Sequence, residues 1–94
     1  MTTLNITHGV RDFDEWLTTF DTFDAFRAEG GVTAYSVRRG TDDRNLVSVE
    51  LEFDTAAQAR AFLGRLQTEI WPNTPHLRDG TPTAYLLEAL PSPA

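Results

Sequence analysis

Residues 12–30 read DFDEWLTTFDTFDAFRAEG, and their spacing decides how the rest of the chain must fold. The stretch holds five of the ten aromatic residues, so whatever it packs against becomes the core. Phe13, Trp16, Leu17, Phe20 and Phe23 recur in steps of three and four. At about 100° per residue they fall within an arc of roughly 120°, the width of a core-facing helix stripe. Asp14, Glu15, Thr18, Asp21, Thr22 and Arg27 are set with the remaining positions. Phe26 lies about 60° off the stripe and needs a second neighbour. Asp12 followed by Glu15 fits a helix cap, and acidic residues in the first turn suit the helix dipole. Gly30-Gly31 supplies a stop, because one of the two can turn left-handed. The spacing therefore predicts one helix over 12–30. Its rings are either plain core or the wall of a cavity for a flat apolar ligand, and the two readings are compatible.

On either side of this helix the period changes to two. Leu4, Ile6, His8 and Val10 share one parity against Asn5 and Thr7, which predicts a strand over residues 2–10. Residues 32–39 (VTAYSVRR) read as a second strand, with Tyr35 and Val37 on one face. The cluster 40–45 (GTDDRN) is a turn. Val47, Val49, Leu51 and Phe53 then alternate with Leu46, Ser48, Glu50 and Glu52, completing a hairpin. Asp54 is placed to cap a second helix, in which Ala56, Ala59, Phe62, Leu63, Leu66 and Ile70 keep helical spacing. Trp71-Pro72 ends it, since the residue before proline avoids the helical region. Residues 73–82 (NTPHLRDGTP) read as a loop, and 83–90 (TAYLLEAL) as a last strand.

The 94 residues make one domain, spanning 1–90, with 91–94 (PSPA) as a frayed tail. The absence of cysteine removes disulfides, thiolate catalysis and cysteine metal ligation from consideration. A net charge of −6 argues against nucleic acid or an anionic membrane surface as partner. No apolar run reaches membrane-spanning length and no basic-then-apolar leader opens the chain, so a soluble protein is expected, and with the lack of cysteine compatible with the cytosol its expected location is cytoplasmic.

The order strand, helix, strand, strand, helix, strand predicts an α+β fold: a ferredoxin-like βαββαβ chain with one four-stranded antiparallel sheet. Two helices cover only one face of such a sheet. The other face carries Leu46 and apolar groups of the last strand beside Ser48, Glu50, Glu52, Asn5 and Thr7. That mixture is too apolar for open water and too polar for a dry core. A second copy is expected to cover it, giving a homodimer.

On residues 8–16 (HGVRDFDEW), 35–63 (YSVRRGTDDRNLVSVELEFDTAAQARAFL) and the closing strand, the chain resembles the dimeric α/β-barrel proteins, in particular small antibiotic-biosynthesis-monooxygenase-like members. The likeness rests on fold-building positions more than catalytic ones. It implies a small-molecule pocket between the helices and the sheet of each subunit. Relatives of this kind include cofactor-independent oxygenases of polycyclic ketides, cyclases or isomerases, and haem-degrading oxygenases. The haem-degrading branch unites an asparagine of the first strand, a tryptophan of the second helix and a haem-ligating histidine. Asn5, Trp71 and His76 match in type and order, but His76 follows Trp71 by five residues, beyond Pro72, where that branch keeps a longer helical spacing.

His8 is the leading catalytic candidate. An imidazole at the end of an apolar row, facing the aromatic helix, has a pKa near working pH and can act as a general base. The bland alternative is a packed histidine bonded to backbone or to a nearby acid. His76 is a second acid/base candidate at the cavity mouth, or else an exposed loop residue. Tyr35 can hold an enolate oxygen or pack as a strand residue. Trp16, Phe20 and Trp71 are expected to hold an aromatic substrate, or to close the core. Glu50 and Glu52 share a strand face; they are paired carboxylates or, as expected here, are matched by Arg38 or Arg39 across the hairpin or by the partner subunit. No metal motif, phosphate loop or nucleophile elbow is present, and no cofactor is expected. The expectation is a small cofactor-independent enzyme that abstracts a proton from a hydrophobic aromatic or ketide-like molecule, as a monooxygenase, cyclase or isomerase. The alternatives are a non-catalytic ligand-binding domain of the same fold and, more weakly, haem binding.

Overall fold

The structure, a computed structural model, describes residues 1–90; the tail expected at 91–94 lies outside them. Strand β1 (Thr2–Val10) leads into helices α1 (Phe13–Thr22) and α2 (Asp24–Glu29). The hairpin β2 (Ala34–Arg39) and β3 (Leu46–Phe53) follows, then helix α3 (Ala56–Arg65) and strand β4 (Arg78–Glu88). The four strands form one antiparallel sheet in the order β2-β3-β1-β4, the ferredoxin-like α+β arrangement. No helix among the described residues is long and apolar enough to cross a membrane.

Strand periodicity sets the two faces of the sheet. Leu4, Ile6 and His8 stand opposite Leu51, Val49 and Val47 and point to the helices. With Phe53, Phe62, Ala59 and Trp16 they form the buried core. Asn5, Thr7 and Ser48 point the other way and hydrogen-bond one another at 3.1–3.4 Å. Arg38 reaches Glu50 across the hairpin at 4.0 Å, the pairing the sequence suggests.

The expected single helix is two. Phe23 leaves helical geometry (φ −94°, ψ 16°), and its N–H bonds back to the carbonyl of Phe20. The cause lies in the threonines. The hydroxyls of Thr18, Thr19 and Thr22 donate to carbonyls of Asp14, Glu15 and Thr19, a back-bonding that bends and weakens a helix. The break turns Phe26 onto Phe62 (centroids 5.2 Å apart), the second neighbour its off-stripe position demands. Asp12 caps α1 through the N–H of Glu15, and Gly31 takes the left-handed stop (φ 95°).

Three further boundaries differ from expectation. Thr55, not Asp54, caps α3, in a reciprocal capping box with Gln58. The second helix continues past Arg65 only as a π-helical turn, Leu66–Ile70, in which the N–H of Trp71 reaches the carbonyl of Leu66. Pro72 has no N–H to extend an α-helical ladder, and the chain tightens into 3-10 turns at Trp71–Asn73 and Pro75–Leu77. Much of the expected loop is strand, because β4 begins at Arg78. A register shift between Thr7 and Gly9 absorbs the breakers Gly80 (φ 89°) and Pro82, so the ladder resumes on both sides of them.

Candidate functional site

A cavity of about 90 Å³ lies between the helices and the covered face of the sheet. That exceeds the roughly 10–15 Å³ one water needs, and suits several waters or a small ring. Trp16, Phe20, Phe23, Phe26, Phe62 and Trp71 supply aromatic walls, and Ile6, Val49 and Leu51 the floor. Among the described residues, the polar lining consists of His8, Thr19, Arg27, Thr74 and Arg78, with no carboxylate.

His8 reaches the cavity because it stands in the inward-facing row of β1, between Ile6 and Val10. Its ring stands edge-on to Trp16, centroids 5.7 Å apart, and is buried. Its Nδ1 lies 3.0 Å from the carbonyl oxygen of Gly9. A carbonyl only accepts, so the proton sits on Nδ1 and the lone pair on Nε2. Burial lowers the His8 pKa from its ordinary 6.5; the Gly9 hydrogen bond opposes this and the Arg78 charge reinforces it. The imidazole is therefore neutral at pH 7, a base with one free nitrogen.

A run of rings extends from His8. Trp16 stacks on Phe20 at 5.1 Å, and Phe20 meets Tyr35 edge-on at 5.5 Å. Tyr35 faces the helices from edge strand β2, but it stands at the margin, 47% exposed, and does not line the cavity. Trp71 does line it, held by its position just after the π-helical turn. His76 lies exposed in the Pro75–Leu77 turn, outside the cavity lining. The structure thus gathers His8, Trp16, Phe20 and Trp71 into one space and leaves Tyr35 at its edge and His76 beyond it. The haem set is not assembled: Asn5 points to the opposite face of the sheet, bonded to Ser48, while Trp71 lines the cavity and His76 faces solvent. These residues do not fit a haem site.

Two arginines complete the site, and sequence reasoning singled out neither. Arg78 donates to the carbonyl of Trp71 (2.6 Å) and the hydroxyl of Thr74 (3.0 Å), clamping the end of the second helix to β4. Partial burial lowers its pKa, yet a guanidinium stays charged. Arg27 is 4% exposed. Its Nη1 donates to the carbonyl of Phe20 at 2.6 Å, an acceptor near the C-terminal end of α1. The guanidinium carbon lies 3.8 Å from the Phe20 ring centre and 4.8 Å from that of Tyr35. A signal for Arg27 existed. It follows Phe20 by seven residues and Phe23 by four, which puts it in the apolar stripe rather than with the polar positions.

No family model and no curated protein matches the sequence. Solved structures do match its fold. SnoaB, a cofactor-independent oxygenase from Streptomyces nogalater, aligns with a TM-score of 0.74 at 20% identity, over 97% of this chain and 94% of that one. An antibiotic biosynthesis monooxygenase aligns at 0.73 and 15% identity, over 97% and 100%. A dimeric ferredoxin-like protein from an uncultured marine organism aligns at 0.67 and 7% identity, over 100% and 99%. The structural neighbours are thus antibiotic-biosynthesis-monooxygenase-like ferredoxin-fold proteins, at identities that establish shared architecture alone.

Proposed function

We propose that the chain is a small cytosolic enzyme, independent of metal or organic cofactor, that abstracts a proton from a hydrophobic aromatic or ketide-like molecule. The observation that carries this reading is His8: a buried imidazole at an aromatic cavity, with Nδ1 tied to a carbonyl and Nε2 left as the base. In the proposed step, Nε2 takes a proton from an activated C–H or phenol. The electron pair left behind delocalises into the adjacent carbonyl or ring, and the resulting enolate or carbanion reacts with dioxygen, cyclises or isomerises. Trp16, Phe20 and Trp71 hold the ring system. Tyr35 bounds the space at its outer edge, and His76 is reserved for contact with a ligand that extends past the mouth. The fold shared with a cofactor-independent oxygenase supports this class of chemistry.

The open face of the sheet is proposed to meet a second copy. It presents Tyr85 and Leu87, 57% and 47% exposed, and, toward the other end of the sheet, Leu46; the marine ferredoxin-like neighbour is dimeric. A second reading, a ligand-binding domain without catalysis, draws on the small cavity and on a single histidine within it. The two separate in one experiment. A panel of aromatic ketones and quinols is incubated with the wild type and with His8→Ala. The enzyme reading predicts turnover of at least one compound, lost by about 10²-fold or more in the variant. Binding without turnover, or turnover unchanged in His8→Ala, contradicts it.

A further inference from the structure

Arg27 is not needed for proton abstraction, and its placement asks for an explanation. It is a cation almost wholly shut off from water, and its Nε and Nη2 have no hydrogen-bond partner among the described residues. Leaving buried donors unpaired is costly, more so on a charged group, and native structures seldom do it without a reason. Among the described residues the one carboxylate within 4.0 Å is Asp24, 3.7 Å from Nη2, beyond hydrogen-bond distance and on a largely exposed side chain. Nη1 is already occupied by the Phe20 carbonyl. The two unpaired nitrogens are those of the side-on edge of the guanidinium, the fork that receives both oxygens of one carboxylate.

The surroundings fit the same ligand. Arg27 lines the aromatic cavity on one side and borders a more open hollow, with Asp24, Ala28 and Tyr35, on the other. Among the described residues the cavity lining has two arginines and no carboxylate, although the whole chain carries a net charge of −6. The groups that line the cavity itself are cationic or neutral; Asp24 borders the hollow instead, and its side chain, 77% exposed, must turn to solvent when an anion takes Nη2. The Nε–Nη2 edge is itself closed off from solvent, so a ligand reaches it only when a neighbour such as the half-exposed Tyr35 ring gives way.

We infer that Arg27 is a binding residue for a carboxylate, and that the cavity takes an aromatic carboxylic acid with its ring among Trp16, Phe20 and Phe23 and its carboxylate on the Nε–Nη2 edge. The inference rests on the ligand-cavity reading of the proposed function and names the substrate class for it. It does not depend on His8 acting as a base, and binding alone tests it. Benzoate and benzamide have the same ring and differ in charge and in the second acceptor oxygen. Titrations followed by NMR of the wild-type protein are expected to give benzoate about tenfold tighter binding. In Arg27→Met the preference disappears while Arg78 is still present. Arg27→Lys keeps the charge without the fork and falls between. His8→Ala keeps the preference even where turnover is lost, which separates failure of this site from failure of the base. Equal affinity for the two compounds in the wild type, no binding of benzoate, or a preference that survives in Arg27→Met overturns the inference.

Discussion

His8 ties stability to pH. Its folded pKa lies below the ordinary 6.5, so between those two values the unfolded chain binds the extra proton. The stabilisation from keeping the ring neutral is therefore full above 6.5 and is lost as pH falls through the lowered folded value. Melting temperature is expected to fall over this interval in the wild type, and the fall is expected to be smaller in His8→Gln, measured side by side by circular dichroism. An equal fall in both would show that other groups govern it. Turnover by a neutral base should decline in the same acidic direction and stay flat above neutrality. Phe62 makes a different demand. It is 2% exposed, touches Phe26 and Phe53, and also lines the cavity. Phe62→Ala should cost about 3–5 kcal/mol in urea unfolding. The reverse error, excess volume, is expected at Gly30, where an added Cβ would collide with the Phe62 ring; Gly30→Ala should cost about 1–3 kcal/mol.

Among the elements, α3 owes its start to the reciprocal bonds of Thr55 and Gln58, each 3.2 Å. Thr55→Ala should lower stability by about 1 kcal/mol without changing the fold; an unaltered unfolding midpoint would count against the cap. The strands were legible because alternation in β1 and β3 is nearly unbroken, and period two leaves only one way to face the helices. The break in the first helix was not, because the aromatic stripe runs straight through Phe23 and the threonine back-bonds that weaken the helix leave no periodic trace. The early start of β4 was hidden by Gly80 and Pro82, which read as loop residues and are carried as a register shift within a ladder. At the site, His8 and the walls Trp16, Phe20 and Trp71 could be read from parity and spacing. The burial of Arg27 depends on the carbonyl of Phe20 accepting its Nη1, a consequence of the helix break, and the sign of the residue disguised its position in the stripe.

At the scale of the molecule, the helices cover one face of the sheet and leave the other to water or to a partner. Asn5, Thr7 and Ser48 satisfy one another on that open face, while Tyr85 and Leu87 stand out beside them. Light scattering at micromolar concentration is expected to give a dimer, and Tyr85→Arg with Leu87→Glu a folded monomer; a wild-type monomer contradicts the proposed interface. Such an interface would leave the aromatic cavity, on the far side of the sheet, as the space in which each subunit does its chemistry. On the proposed reading that chemistry begins with the removal of a proton by His8, and deuterium exchange reads this step whatever follows it. Aromatic ketones with an acidic C–H are incubated with the protein in heavy water, without dioxygen, and followed by NMR. The account predicts exchange at that carbon accelerated by the wild type and returned to the background rate in His8→Ala; exchange at background with the wild type, or equally fast with the variant, contradicts it.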